Sequence, residues 1–192
     1  MNKRNRKTYD NCKRKARRHF QALLDQATAS QVEQAAQWYE GETRYCQALA
    51  DEFSLTLDLV TTYYAWTSIR QRLAQNKALT VQACHRNGNV NALPTAVTGC
   101  RKAWRAWGAG EDPTATLTGR KTYNFARALQ GDSEAVVVDV WMMRAAGYDT
   151  DAPTKIQYDA LEYVIRQMAG ANGLEPRTLQ ALLWIIVRGG AA

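Results

Sequence analysis

This chain of 192 residues carries a formal charge of +7, and the excess sits at one end: residues 1–18 hold nine Lys/Arg against the single acid Asp10, while the other 174 hold 16 basic and 17 acidic side chains. So concentrated a cationic arm points to a polyanionic partner, nucleic acid first, and the length suits one domain with a buried core. No stretch reaches the length of a membrane span, no apolar run follows the basic start as in a signal peptide, and Cys12, Cys46, Cys84 and Cys100 lie too far apart for a Cys-x-x-Cys metal pair.

The arm is the first predicted element. It reads as too polar to join a core and too charged to fold alone, hence mobile until DNA binds. From His19 to Ala27 a helix is expected, with Phe20, Leu23 and Leu24 on one face. Ser30 reads as the N-cap of a helix Gln31–Glu52, with Glu33 completing a capping box. Further helices are expected over Leu55–Trp66 and Ile69–Cys84, the second ending in the breaker-rich residues 85–91. Pro94 suits the first turn of a helix reaching Trp107, and a loop follows over residues 108–113. Gly119 opens a run of helix formers that stops at Gly131, and a second run starts near Asp139. Residues 148–153 are turn-rich. Thr154–Ala169 is strongly periodic, and Pro176 starts a last helix ending near Arg188. The only β-branched run, Val136–Val138, is too short to seed a sheet. The expectation is an all-α globule of roughly nine or ten helices, one domain over residues 19–192 behind the basic arm.

Several side chains in this frame can carry chemistry. Lys121 and Asp139 would stand at the starts of two helices joined by a short turn, an amine and a carboxylate beside backbone N–H groups that attract phosphate. Asp139 also reads as an ordinary N-cap, and both roles can hold at once. Lys121 reads as a nucleophile, a phosphate contact or a solvated lysine. Trp104 and Trp107 alternate with Lys102 and Arg105, while Tyr63, Tyr64 and Trp66 cluster near Ser68. Basic residues interleaved with aromatics suit DNA contact and stacking, and equally suit amphipathic packing. Trp66 and Trp141 are the candidates for a base pocket, with Ser68 and Asn76 either bonding the base or capping helices. His19 and His85 are isolated and no glycine-rich nucleotide loop is present, so neither a metal centre nor a cofactor is expected.

The segment Gly119-Arg-Lys-Thr122, then a helix, then the valine-rich Val136-Val-Val-Asp-Val-Trp-Met-Met-Arg144 resembles the core of the helix-hairpin-helix DNA glycosylase superfamily, of the endonuclease III type. That family has Gly-x-Lys-Thr, a helix, and Asp-x-x-x-x-Arg; Lys121 and Asp139 are 18 positions apart, which fits it. Residues 63–70 with Asn76-Lys-Ala78 resemble the family's early helix pair, and Gly99–Trp104 resembles the helix start before the hairpin. The stretch Gln180–Arg188 resembles small glycosylase-like proteins of phages. Leu117 and Thr116 stand where the family's hairpin has its first glycine and its proline, and no cysteine beyond Cys100 is present for the C-terminal iron–sulfur cluster of some relatives.

The resemblance implies a helix-hairpin-helix glycosylase-like fold and a DNA N-glycosylase, with or without lyase activity, that flips and excises a damaged or phage-type modified base. Asp139 would be the catalytic carboxylate and Lys121 the nucleophile at the sugar. Gly119, Arg120, Thr122, Asn124, Arg144, Lys102 and Arg105 would contact DNA, and Trp66, Ser68, Asn76 and Trp141 would hold the base. The partner would be duplex DNA and no membrane, the protein a cytoplasmic monomer in a bacterial or phage-infected cell. The alternatives are a base-modifying transferase on the same fold and a non-catalytic DNA-binding relative.

Overall fold

The computed structural model describes residues 2–190. Among them are nine α-helices, one 3-10 turn and no strand, so the chain is all-α. In order the helices are α1 (Lys3–Leu24), α2 (Ala29–Phe53), α3 (Leu57–Thr67), α4 (Leu73–His85), α5 (Pro94–Gly108), α6 (Arg120–Leu129), α7 (Val140–Ala145), α8 (Lys155–Ala171) and α9 (Pro176–Arg188), with the 3-10 turn Pro113–Thr116 between α5 and α6.

The first helix differs most from expectation. Residue 18 marks no boundary: α1 takes in nearly all of the expected arm and runs on to Leu24. The reason is an apolar stripe hidden among the cations. Tyr9, Cys12, Ala16, Phe20 and Leu23 recur at three- and four-residue spacing, and Cys12, Ala16 and Phe20 are buried. Asn2 starts the helix by accepting the Asn5 N–H at 2.9 Å. The start of α2 also moves. Its reciprocal cap is Thr28 with Gln31: Gln31 N–H donates to Thr28 Oγ1 at 3.2 Å, and Thr28 N–H to Gln31 Oε1 at 3.0 Å. Ser30 instead accepts from the Gln34 amide at 3.1 Å. A capping box of the expected kind does open α8, where Thr154 and Gln157 bond reciprocally.

The described chain divides into two compact units, residues 1–39 with 133–192, and residues 40–132; the division falls inside α2. In the first unit α1 packs on α8, and α7 and α8 each pack on α9. Their shared core includes Phe20, Val136, Val138, Met142, Met143, Leu161, Ile165, Leu179 and Leu183. The extended Val136–Val138 segment is held without a strand partner. The Tyr158 hydroxyl donates to the Val136 carbonyl at 2.9 Å and accepts the Val138 N–H at 3.3 Å.

The second unit is built around α3, buried from Leu59 to Thr67 and packed by α4, α5 and α6. Polar groups in its interior find partners. Thr67 Oγ1 donates to Asn76 Oδ1 at 2.6 Å, and the Gln130 amide donates to Thr61 and Thr114 hydroxyls, each at 3.0 Å. Buried Glu42 accepts from the Tyr64 hydroxyl and pairs with Lys77 Nζ at 2.8 Å. The Lys77 ammonium is covered in turn by the Tyr45 ring, 4.7 Å from Nζ to the centroid.

Candidate nucleic-acid interface

In the first unit the cations of α1 have two fates. Lys13 is pinned by Asp10 at 2.9 Å and lies 4.7 and 5.1 Å from the Tyr9 and Tyr163 ring centroids, while Lys15 lies 4.0 Å from that of Tyr148. The hydrogen bond between Asp10 and Lys13 holds the carboxyl below its ordinary range and raises the ammonium. Arg4, Lys7, Arg14 and Arg18 are instead exposed, at helical spacing on the side away from Cys12, Ala16 and Phe20. Asn11, Arg14, Lys15 and Arg18 line a shallow cavity of about 480 Å³ there.

Asp139 lies in the same unit, at the start of α7. Its Oδ1 accepts the Met142 N–H at 3.0 Å, so the ordinary capping role is real. Trp141 and Arg144 follow, half-buried and exposed. The Arg144 guanidinium is 4.6 Å from the Trp141 ring, and that of Arg188 is 5.9 Å from it on the other helix. Arg188 also lies 4.3 Å from the Trp184 ring, which stands 5.4 Å from Trp38. This row of indole and guanidinium groups joins α2, α7 and α9. Trp141 and Arg144 of this row were candidates in the sequence; Trp38, Trp184 and Arg188 were not. The four-residue spacing of Trp184 and Arg188 was the available signal. Close by, burial first and the Asp139 charge second raise the Tyr39 hydroxyl pKa; that hydroxyl donates to Gln180 Oε1 at 2.6 Å.

The other sequence candidates lie in the second unit, so Lys121 and Asp139 belong to different units. Gly119 is the N-cap of α6 with no side-chain cap; Arg120 is exposed, and Lys121 and Asn124 are half-buried. Thr122 is buried and its hydroxyl turns back to the Gly119 carbonyl at 2.9 Å. Ser68 is the C-cap of α3 and donates to the Ala65 carbonyl at 2.8 Å. Asn76 is buried and its Oδ1 accepts from the Thr67 hydroxyl. Trp66 is buried as well, its indole N–H directed at Thr116 Oγ1 at 3.4 Å. Its ring lies against Gly99, where any Cβ would collide with it. Trp66, Thr95, Thr98, Lys102, Thr116 and Thr118 contribute to a cavity of about 330 Å³. Thus Trp66 and Lys102 share one concavity, while Arg105 lines another with Asn87, Asn89, Arg101 and Trp104, of about 360 Å³.

A family model matches residues 2–191. The chain belongs to DUF7178, a family of unknown function. No curated protein and no solved structure matches it. In this DUF7178 chain no helix among the described residues is long and apolar enough to cross a membrane. Nor does any group of three or more His, Cys, Asp or Glu among them suit a metal ion. Its four cysteines are free and buried. Burial pushes the Cys84 and Cys100 thiols up to about 12 and raises that of Cys46 too, which leaves them protonated and inert near neutrality.

Proposed function

We propose that this DUF7178 protein binds DNA and releases a base from it, acting as a DNA N-glycosylase. One observation carries the binding half. The exposed cations of α1 are held in a row on a docked helix whose opposite face is core. Such a row meets phosphates at fixed positions and releases counterions on binding. The excision half is supported by the likeness of residues 119–144 to the glycosylase motif and by the setting of Asp139. Departure of a base leaves positive charge on the sugar, and a carboxylate beside it stabilises that charge and orients the attacking water. The cap bond to Met142 fixes the Asp139 carboxylate through one oxygen. Lys121 is the residue for sugar attack if the enzyme also cleaves the strand, through a Schiff base.

The test uses duplexes bearing a panel of modified bases, hydroxymethylated and glucosylated pyrimidines included, with free base and abasic sites as readouts. Release by the wild type and none by Asp139→Asn, with DNA binding retained, is expected. No release from any duplex, or full activity in Asp139→Asn, sinks the enzymatic reading; DNA that gains mass instead points to the transferase. Borohydride trapping that Lys121→Ala abolishes identifies the amine. Converting Arg4, Lys7, Arg14 and Arg18 to Gln should flatten the salt dependence of duplex affinity by about 0.9 in log–log slope for every phosphate those side chains neutralise.

A further inference from the structure

The second unit carries a cationic ridge on α5 that includes Lys102 and Arg105. On α5 the side chains of Thr98, Arg101, Lys102 and Arg105 share the solvent face, all exposed. Among the described residues none of these three cations is in an ion pair, although the ridge is concentrated within five residues of one helix. On one flank lies the 360 Å³ concavity of Asn87, Asn89, Arg101, Trp104 and Arg105, with no carboxylate in its lining. On the other lies the 330 Å³ concavity that Lys102 shares with Trp66 and the threonines.

The first concavity is built rather than incidental. Asn89 is clamped: its amide nitrogen donates to the Arg86 carbonyl at 3.0 Å, and its Oδ1 accepts Arg101 Nε at 2.9 Å. That bond uses one N–H of the Arg101 guanidinium and fixes its plane, leaving the terminal fork for an anion. The turn holding Asn89 is itself fixed to α5. Asn87 and Gly88 are left-handed, at φ of 53° and 78°, and a Cβ on Gly88 would stand 2.6 Å from the Cys100 carbonyl oxygen. The turn is the C-terminal cap of α4, with the Gly88 N–H donating to the Ala83 carbonyl at 2.8 Å, and it holds Asn89 beside the oriented guanidinium. Trp104 supplies the wall, half-buried and 5.0 Å from the Trp107 ring.

We propose that α5 and the turn at residues 86–89 bind a single-stranded segment of nucleic acid, with phosphates on Arg101, Lys102 and Arg105 and a base lodged against Trp104. Uncompensated positive charge selects the phosphodiester. An indole face accepts any base, and the Asn87 amide offers hydrogen bonds to its edge. A strand rather than a free nucleotide is the occupant because the cations continue past the cleft into the second concavity, which has its own indole. The site stands independently of α1 and of Asp139.

The experiment uses the full chain, fluorescence anisotropy and a labelled oligothymidylate beside a duplex of equal length, across a salt series. The variants are Arg101→Gln/Arg105→Gln, Trp104→Phe, Trp104→Ala and the fourfold α1 replacement, each checked for an unchanged melting transition. The double arginine variant should bind the single strand at least about tenfold more weakly, and its log–log slope should fall by about 0.7 for every phosphate the two arginines neutralise. Trp104→Ala should weaken binding at an unchanged slope, with Trp104→Phe in between. An unchanged slope in the double variant overturns the proposal. So does equal weakening toward the duplex, or full displacement by inorganic phosphate or thymidine monophosphate at the strand's own concentration. Single-strand binding that survives the α1 replacement, while duplex binding disappears, separates this site from the α1 surface. If the α1 replacement changes nothing yet the arginine pair does, the α1 assignment fails and this one stands.

Discussion

Asp139 has two separable jobs, and substitution can divide them. As the N-cap of α7 its carboxylate accepts the Met142 N–H. Asp139→Ala removes the acceptor and should lower stability by about 1 kcal/mol, whereas Asp139→Asn keeps one and should stay close to wild type in denaturant unfolding. The Asn variant therefore isolates chemistry from folding, which is why the excision assay relies on it; an Ala variant as stable as wild type would show that the cap contributes nothing. Gly99 poses a different constraint. It is the floor against which the Trp66 ring lies, and a methyl there has nowhere to go without moving the indole. Gly99→Ala should destabilise by about 1–3 kcal/mol despite its gain in helix propensity, and should shift the Trp66 emission. A variant more stable than wild type would mean the ring relocates freely.

At the scale of elements, α1 shows how charge can mask amphipathicity. Phe20 is fully buried in the first unit's core, so Phe20→Ala should cost about 3–5 kcal/mol in equilibrium unfolding. Arg18→Gln on the exposed face should stay within about 0.5 kcal/mol. A tail of the expected kind would show no such contrast. The apolar stripe was legible in the spacing of Tyr9, Cys12, Ala16 and Phe20, but nine interleaved cations outweigh it in composition. The later helices were easier. Pro94, Thr154 and Pro176 announce their starts by local chemistry alone, and α5, α8 and α9 begin within a residue of where those signals put them. The start of α2 was missed because Ser30 and Thr28 both offer a capping hydroxyl, and only the backbone geometry chooses between them. For the candidate site, the Asp139 cap was readable as a helix-start pattern. The row of Trp38, Trp184, Arg188 and Trp141 was not, since three helices far apart in sequence assemble it. The hydrogen bond from Thr67 to the Asn76 carbonyl oxygen was likewise not legible, since it joins α3 to α4.

Over the whole molecule, each unit owns a core, and the chain crosses between them once inside the continuous helix α2 and once in the short turn after α6, at Asp132–Ser133. Both cores bury tyrosines, and this gives the protein a predictable alkaline limit. Burial raises the hydroxyl pKa of Tyr39 and Tyr148 in one unit and of Tyr45, Tyr63 and Tyr64 in the other, Tyr45 to about 12. A tyrosine is neutral when protonated, so a raised folded value means the native state keeps a proton that the unfolded chain gives up near pH 10. The linked stability is therefore fully present below about pH 10 and is lost progressively as pH climbs through 12 and beyond. Titration followed by tyrosinate absorbance and helical circular dichroism should show the buried hydroxyls ionising in one steep step together with loss of helix. Tyr64→Phe leaves Tyr45 and Tyr63 to open the same core and removes the hydrogen bond to buried Glu42, so it should lower stability at neutral pH and release fewer protons in that step without moving it upward. If all nine tyrosines titrate smoothly around pH 10 while the helices persist, burial does not protect them and the packing described for the α3 core is looser than its side-chain contacts indicate.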